Sequence, residues 1–335
     1  MPADDLLPQL RIHGLIDEGA VRMEPLAGGV SGDIFLIEQG DRRFVVKQAL
    51  AKLRVKDDWF ADVSRNHYEQ EYLRYVGAFL PSAVPKVLAS DEGHGFFVME
   101  YLGEGYSNWK SLLLKGGAET AHARAAGQIL GTIHNHSWND GETRTRFATV
   151  RNFQELRIDP YLLTTGRRHA ALQPYFEAEA RRLESASLCL VHGDFSPKNI
   201  LIREDRMVVL DCEVAWFGDP AFDVAFLLNH LFLKSLHLLE QRNELVALAA
   251  AFWKAYQESL GPERAAEVGG HVPRLLLMLL LARVDGKSPA EYLVDSRKQE
   301  FIRQFVSQHL PKAPETLPEL RQLWSESLDS LPSLP

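Results

Sequence analysis

The chain has 335 residues, 46% of them hydrophobic and 24% charged, a length that suits two lobes and a composition ordinary for a globular protein. Its 37 Lys and Arg against 45 Asp and Glu leave a formal net charge of −8, the opposite of the basic excess expected of a nucleic-acid binder. Two cysteines, Cys189 and Cys212, exclude a disulfide framework and fit a reducing compartment.

The opening, MPADDLLPQL, lacks the basic and apolar stretches of a secretory leader. The longest apolar run, Leu275 to Ala282, is too short to cross a bilayer. The expectation is a cytoplasmic protein with no nucleic-acid or membrane partner; composition leaves its oligomeric state open. In chain order, Met23–Leu26 leads into the glycine-rich turn Gly28-Gly29-Val30-Ser31-Gly32, and the strand patterns Asp33–Glu38 and Arg43–Gln48 flank Gly40-Asp41, a hairpin signal. Helical spacing over Val63–Phe79 ends at Pro81 and Pro85, and two more strands follow, Lys86–Ala89 and Gly95–Tyr101. Past Leu102 the pattern becomes helical: Ala121–His134, Gln173–Ser185, Ala221–Glu240, Leu245–Glu258 and Leu275–Val284. A short β unit, Leu188–Val191 and Met207–Leu210, interrupts them. The predicted fold class is α+β and bilobal, with a small β-rich lobe over 1–100, a hinge over 101–105 and a large, mainly helical lobe over 106–335.

The chemistry concentrates in Val191-His192-Gly193-Asp194-Phe195-Ser196-Pro197-Lys198-Asn199 and in Asp211-Cys212-Glu213. Phosphoryl transfer needs a carboxylate to accept the acceptor's hydroxyl proton, and separate oxygen ligands to hold Mg²⁺ against the nucleotide phosphates. Asp194 suits the first role; Asn199 and Asp211, each at a strand end, suit the second. Glu213 falls on the same side as Asp211 of an extended path, within reach of the metal's water or of local backbone. His192 orients the loop, and Lys198 has its head in water or beside the transferring phosphate.

His-Gly-Asp-x₄-Asn followed by Asp-x-Glu resembles the aminoglycoside phosphotransferase and choline kinase family, whose members share the bilobal protein-kinase fold. The similarity runs from about residue 20 to about residue 235 and includes Gly218-Asp219-Pro220-Ala221-Phe222-Asp223. The resemblance implies ATP and Mg²⁺ as cofactors, with Asp194 catalytic, Asn199, Asp211 and Glu213 at the metal, and Asp223 bracing the catalytic loop. It implies nucleotide contacts from Gly28, Gly29, Ser31 and Gly32, where backbone N–H groups approach phosphate. It also implies a strand lysine, Lys47, on the α- and β-phosphates, and adenine contacts from the backbone of Glu100, Tyr101 and Leu102. The carboxylate partner of Lys47 must come from the following helix; Glu69 and Glu71 both qualify, and the family pattern favours Glu69.

The small-molecule acceptor is less legible. Eight arginines stand against five acids between Glu142 and Arg182, a balance that disfavours a polycation and favours an acidic or sugar-like acceptor; the expected acceptor is sugar-like or an amino alcohol. Val46–Leu50 with Leu53-Arg54, and Arg283, resemble the methylthioribose kinase branch, which implies acceptor binding at Arg283. This chain has one arginine there where that branch has a pair. Trp109 and Trp138 are the candidate aromatic walls, against core packing. A protein kinase is disfavoured because Gly218-Asp219-Pro220 follows Asp211 closely and no Ala-Pro-Glu anchor occurs. A catalytically silent binding module is disfavoured because Lys47, Asp194, Asn199 and Asp211 are all present.

Overall fold

A computed structural model describes residues 3–26, 32–50 and 62–331. The chain divides into two compact units, Met1–Tyr106 and Ser107–Pro335, so the division falls one residue past the expected start of the larger lobe.

The first unit runs α1 (Ala3–Ile12), β1 (Arg22–Pro25), β2 (Gly32–Gln39), β3 (Arg42–Ala49), α2 (Arg65–Phe79), β4 (Val87–Asp91) and β5 (Phe96–Glu100). The strands form one antiparallel sheet in the order β1-β2-β3-β5-β4. Gln39 pairs with Arg42 across Gly40-Asp41, and Gly40 takes φ +58°, a left-handed turn that glycine adopts without strain. α1 has no counterpart in the sequence reading because Pro8 interrupts it. Its Leu6 and Leu10, one turn apart, bury against Phe44 and Val46 of β3.

That packing decides where Lys47 goes. Successive side chains on a strand point to opposite faces. With Phe44 and Val46 turned toward α1, Lys47 is turned to the other face, where it meets Glu69 of α2 at 2.7 Å. β3 is central, between β2 and β5, and Lys47 is 3% exposed, so it is not the water-facing edge lysine that an apolar strand often carries. Gly32 has a packing reason of its own: a Cβ there would lie 2.8 Å from the Gln48 carbonyl oxygen.

The second unit begins with β6 (Ser107–Asn108), α3 (Trp109–Leu114), α4 (Thr120–His136), α5 (Gly141–Arg146) and α6 (Val150–Phe153). A π-helical segment, Gln154–Leu163, runs into α7 (Thr164–Arg168) and α8 (Gln173–Ser185). β7 (Cys189–Val191), β8 (Ile200–Arg203), β9 (Arg206–Val209) and β10 (Trp216–Gly218) follow, and then the helices α9 (Ala221–His237), α10 (Arg242–Leu260), α11 (Pro262–Gly269), α12 (Val272–Asp285), α13 (Ser296–His309) and α14 (Leu317–Asp329). β7 pairs with β10, and β8 lies between β6 and β9.

α9 and α12 form the centre of this unit: every residue from Ala221 to Leu236 is buried, as is Leu275–Arg283. α4 lies against α10 at glycine distance. A Cβ on Gly127 would meet the Phe252 carbonyl oxygen at 2.4 Å, and one on Gly131 the Tyr256 carbonyl oxygen at 2.8 Å. Among the described residues no single helix is long and apolar enough to cross a membrane.

Candidate active site

The loop after β7 is held by its backbone. The Asp223 carboxylate, at the start of α9, accepts from the N–H groups of His192 (2.7 Å) and Gly193 (2.8 Å) and also faces His134 Nε2 at 3.3 Å. This is the bracing expected of Asp223, and it engages His134 in the core. Gly193 takes φ +78° with Val214 so near that a Cβ would lie 2.7 Å from its carbonyl oxygen, so the sharp turn admits only glycine. His192 Nδ1 lies 3.1 Å from the donating Asp194 N–H, and its Nε2 lies 3.2 Å from Leu210 O. The first contact makes Nδ1 an acceptor and so puts the ring proton on Nε2. Burial lowers the pKa of His192 against the pull of Asp223 and Asp194, which agrees with a neutral ring that orients the loop.

Asp194 is 3% exposed. Its Oδ2 faces two cations, Lys198 Nζ at 2.9 Å and Arg157 Nη2 at 3.2 Å. Arg157 lies on the π-helical segment, where its Nε also donates to the Gly193 carbonyl. Burial opposes its charge, yet Asp194, Tyr161, Glu213 and Asp211 outweigh burial and raise its pKa. Three carboxylates from the loops after β7 and β9 thus act on one guanidinium.

Asn199 and Asp211 come together through strand pairing. Ile200 of β8 sits opposite Val209 of β9, and Leu210 N donates to Asn199 O at 2.8 Å. Asn199 Nδ2 donates to the Asp194 carbonyl, 3.0 Å, which leaves its Oδ1 as the end able to ligate. Asp211 adopts φ +63°, a left-handed conformation that Asp tolerates better than most residues and that marks functional turns. An oxygen-only set of Asn199, Asp211 and Glu213 suits a hard cation such as Mg²⁺, so the residues fit the implied metal.

In the first unit, Lys47 faces Glu69, whereas Glu71 pairs with Arg74 at 3.2 Å. The N–H of Glu100 is given to Lys86 O at 2.9 Å. Tyr101 and Leu102 follow the strand end, half-buried. Gly28, Gly29, Ser31, Leu53 and Arg54 lie outside the described residues.

On the acceptor side, Trp109 cannot be a wall: it is fully buried at the start of α3. Trp138 is half-buried and carries the Arg264 guanidinium 5.3 Å from its ring centroid, a contact with α11. Arg283 is 8% exposed and is engaged with Tyr161 Oη (3.3 Å) and Ser288 Oγ (2.9 Å). Tyr161 also stands 5.7 Å from Arg157. Burial would raise its phenol pKa, but Arg283 and Arg157 prevail and lower it. Sequence reading missed Arg157 and Tyr161 as site residues, because a π-helix over Gln154–Leu163 has no periodicity signal to look for. It also missed Lys234, whose signal was available: it is the one Lys, Arg, Asp or Glu in the apolar run Val224–Leu239.

A family model described as "Phosphotransferase enzyme family" matches residues 22–268. The methylthioribose kinase of Pectobacterium atrosepticum is 26% identical over 261 residues, which cover 69% of this chain and 65% of that enzyme, slightly under two thirds of its length. Among solved structures, amicoumacin kinase hAmiN in complex with AMP-PNP, Ca²⁺ and Ami aligns with a TM-score of 0.57 at 14% identity, covering 96% of this chain and 97% of that chain. Choline kinase LicA from Streptococcus pneumoniae gives 0.50 at 16% identity, covering 91% and 99%. The structural likeness is one of fold, the protein-kinase-like fold expected from the motifs.

Proposed function

The chain belongs to the phosphotransferase enzyme family, and from that premise we propose that it is an ATP- and Mg²⁺-dependent kinase that phosphorylates a hydroxyl of a small molecule. The observation that carries the reading is the Asp194 carboxylate, with two cations on Oδ2 and Asn199 and Asp211 tied to its loop. The match to a methylthioribose kinase supports a sugar-like hydroxyl compound as the first acceptor class to test, and the AMP-PNP-bound fold neighbour is consistent with ATP as the nucleotide.

Asp194 Oδ1 accepts the acceptor's hydroxyl proton as that oxygen bonds to the γ-phosphorus and the bond to the departing diphosphate oxygen breaks. Arg157 and Lys198 hold the carboxylate in place and keep positive charge beside the transferring group. Asn199 and Asp211 would hold the cation, with Glu213 beside them, and a bound cation would neutralise charge on the phosphates. Lys47, fixed by Glu69, binds the α- and β-phosphates. Arg283 orients the acceptor.

The test is ADP release with Mg-ATP across methylthioribose, other sugars, amino alcohols, homoserine and aminoglycosides. Acceptor-dependent ADP formation supports the reading. Peptide phosphorylation with no small-molecule turnover would move the chain to the protein-kinase reading.

A further inference from the structure

The charges of the second unit do not close among themselves. Arg157 and Lys198 are balanced on Asp194, and Lys110 on Glu291. Arg283 and Lys234 form no such pair among the described residues, although Glu291 lies near enough to act on both. Both are buried: Lys234 is 0% exposed and Arg283 8%. Lys234 Nζ reaches only the His230 carbonyl, at 3.5 Å, and lies 5.0 Å from the centroid of the Tyr292 ring.

The two atoms lacking hydrogen bonds in this neighbourhood are Arg283 Nε and the Tyr292 hydroxyl, both buried. A buried donor left unpaired is costly, more so when charged, so such atoms need a reason. The reason is near the chemistry. Arg283 touches Tyr161, and Tyr161 touches Arg157, which holds Asp194. From Arg157 the ring of Phe226 leads to His230 and so to the Lys234 end of α9. Burial, Lys110 and Arg283 together push Lys234 down to about 7, and Glu291 offsets them only in part. An added negative charge at this place would offset the Lys110 and Arg283 charges.

Resting on the kinase reading of Asp194, we propose that the acceptor is a hydroxy acid, whose carboxylate is received by Arg283 Nε and the Tyr292 hydroxyl with Lys234 as counter-charge behind the Tyr292 ring. A neutral polyol would fill the two hydrogen bonds but leave both cations uncompensated. A phosphate dianion asks for more donors than two. A single carboxylate matches the donor count. Lys234 acts through Tyr292 as a positioning residue and does not touch the acceptor.

The experiment measures kcat/KM of the full chain with Mg-ATP for matched acids and their neutral counterparts: gluconate against glucose, homoserine against its primary amide, 4-hydroxybutyrate against 1,4-butanediol. The expected result is at least one pair in which the acid exceeds its counterpart by about tenfold or more, the scale set by one charge-assisted contact. Arg283→Gln and Lys234→Met should each bring that ratio toward one, Arg283→Gln mainly through KM, with melting temperatures showing that both variants fold. A ratio near or below one in every pair overturns the inference. If neutral members are then phosphorylated, the kinase reading stands without it; if no member yields acceptor-dependent ADP, that reading falls too. An acid preference that survives both substitutions also overturns the assignment of Arg283 and Lys234.

Discussion

Lys234 and Asp211 show how far one side chain's surroundings decide its behaviour. Lys234 takes a proton near 10.5 when unfolded and near about 7 when folded, because burial and the Lys110 and Arg283 charges disfavour its cation. Between those pH values the unfolded chain holds the extra proton, so stability rises with pH through this window and the penalty is complete below it. At 1.36 kcal/mol per unit the penalty is on the order of 5 kcal/mol. Lys234→Met should therefore be more stable than the parent at pH 7, with the gap narrowing toward pH 10. Melting temperatures or urea titrations at the two pH values check this, and a gap that does not change with pH contradicts it. Asp211→Ala should weaken Mg²⁺-dependent nucleotide binding by about tenfold or more, since a hard cation loses an anionic ligand; calorimetric titration of ATP with and without Mg²⁺ reads it. Unchanged affinity would remove Asp211 from the metal site.

At the scale of elements, motif-bearing strands and loops were legible because their chemistry is local. The run from His192 to Asn199, the hairpin at Gly40-Asp41 and Lys47 on its strand each declare themselves within ten residues. The choice of Glu69 over Glu71 followed from a family pattern, and the fold gives its physical cause: β3 turns Phe44 and Val46 to α1 and so turns Lys47 to α2. The π-helix was not legible, because an added residue in a turn shifts the side-chain period without leaving a mark in composition. α1 was hidden by Pro8, and α13 and α14 were not anticipated. The α4–α10 contact depends on two glycines that the sequence shows but does not explain. Gly127→Val should destabilise by about 1–3 kcal/mol through overpacking, read as a lowered denaturation midpoint with the urea slope unchanged. A variant of parental stability would mean that the helices separate freely.

At the scale of the whole molecule, the family and fold class follow from a few polar residues at fixed spacing, whereas the acceptor does not. Catalytic positions sit where strands end and loops are short, so their order in the sequence mirrors their order in space. The proposed acceptor site draws Arg157, Tyr161, Lys234, Arg283 and Tyr292 from parts of the chain up to 135 residues apart, and only folding would bring them together. Trp109, a natural candidate by residue type, turned out to be core.

The account rests on Asp194 acting as the base toward a small-molecule hydroxyl. The most direct test is acceptor-dependent ADP formation by Asp194→Asn against the parent, with ATP affinity measured in parallel. The account predicts turnover lower by about 10³-fold or more with ATP affinity within a fewfold of the parent; an Asp194→Asn enzyme that turns over at the parental rate would contradict it.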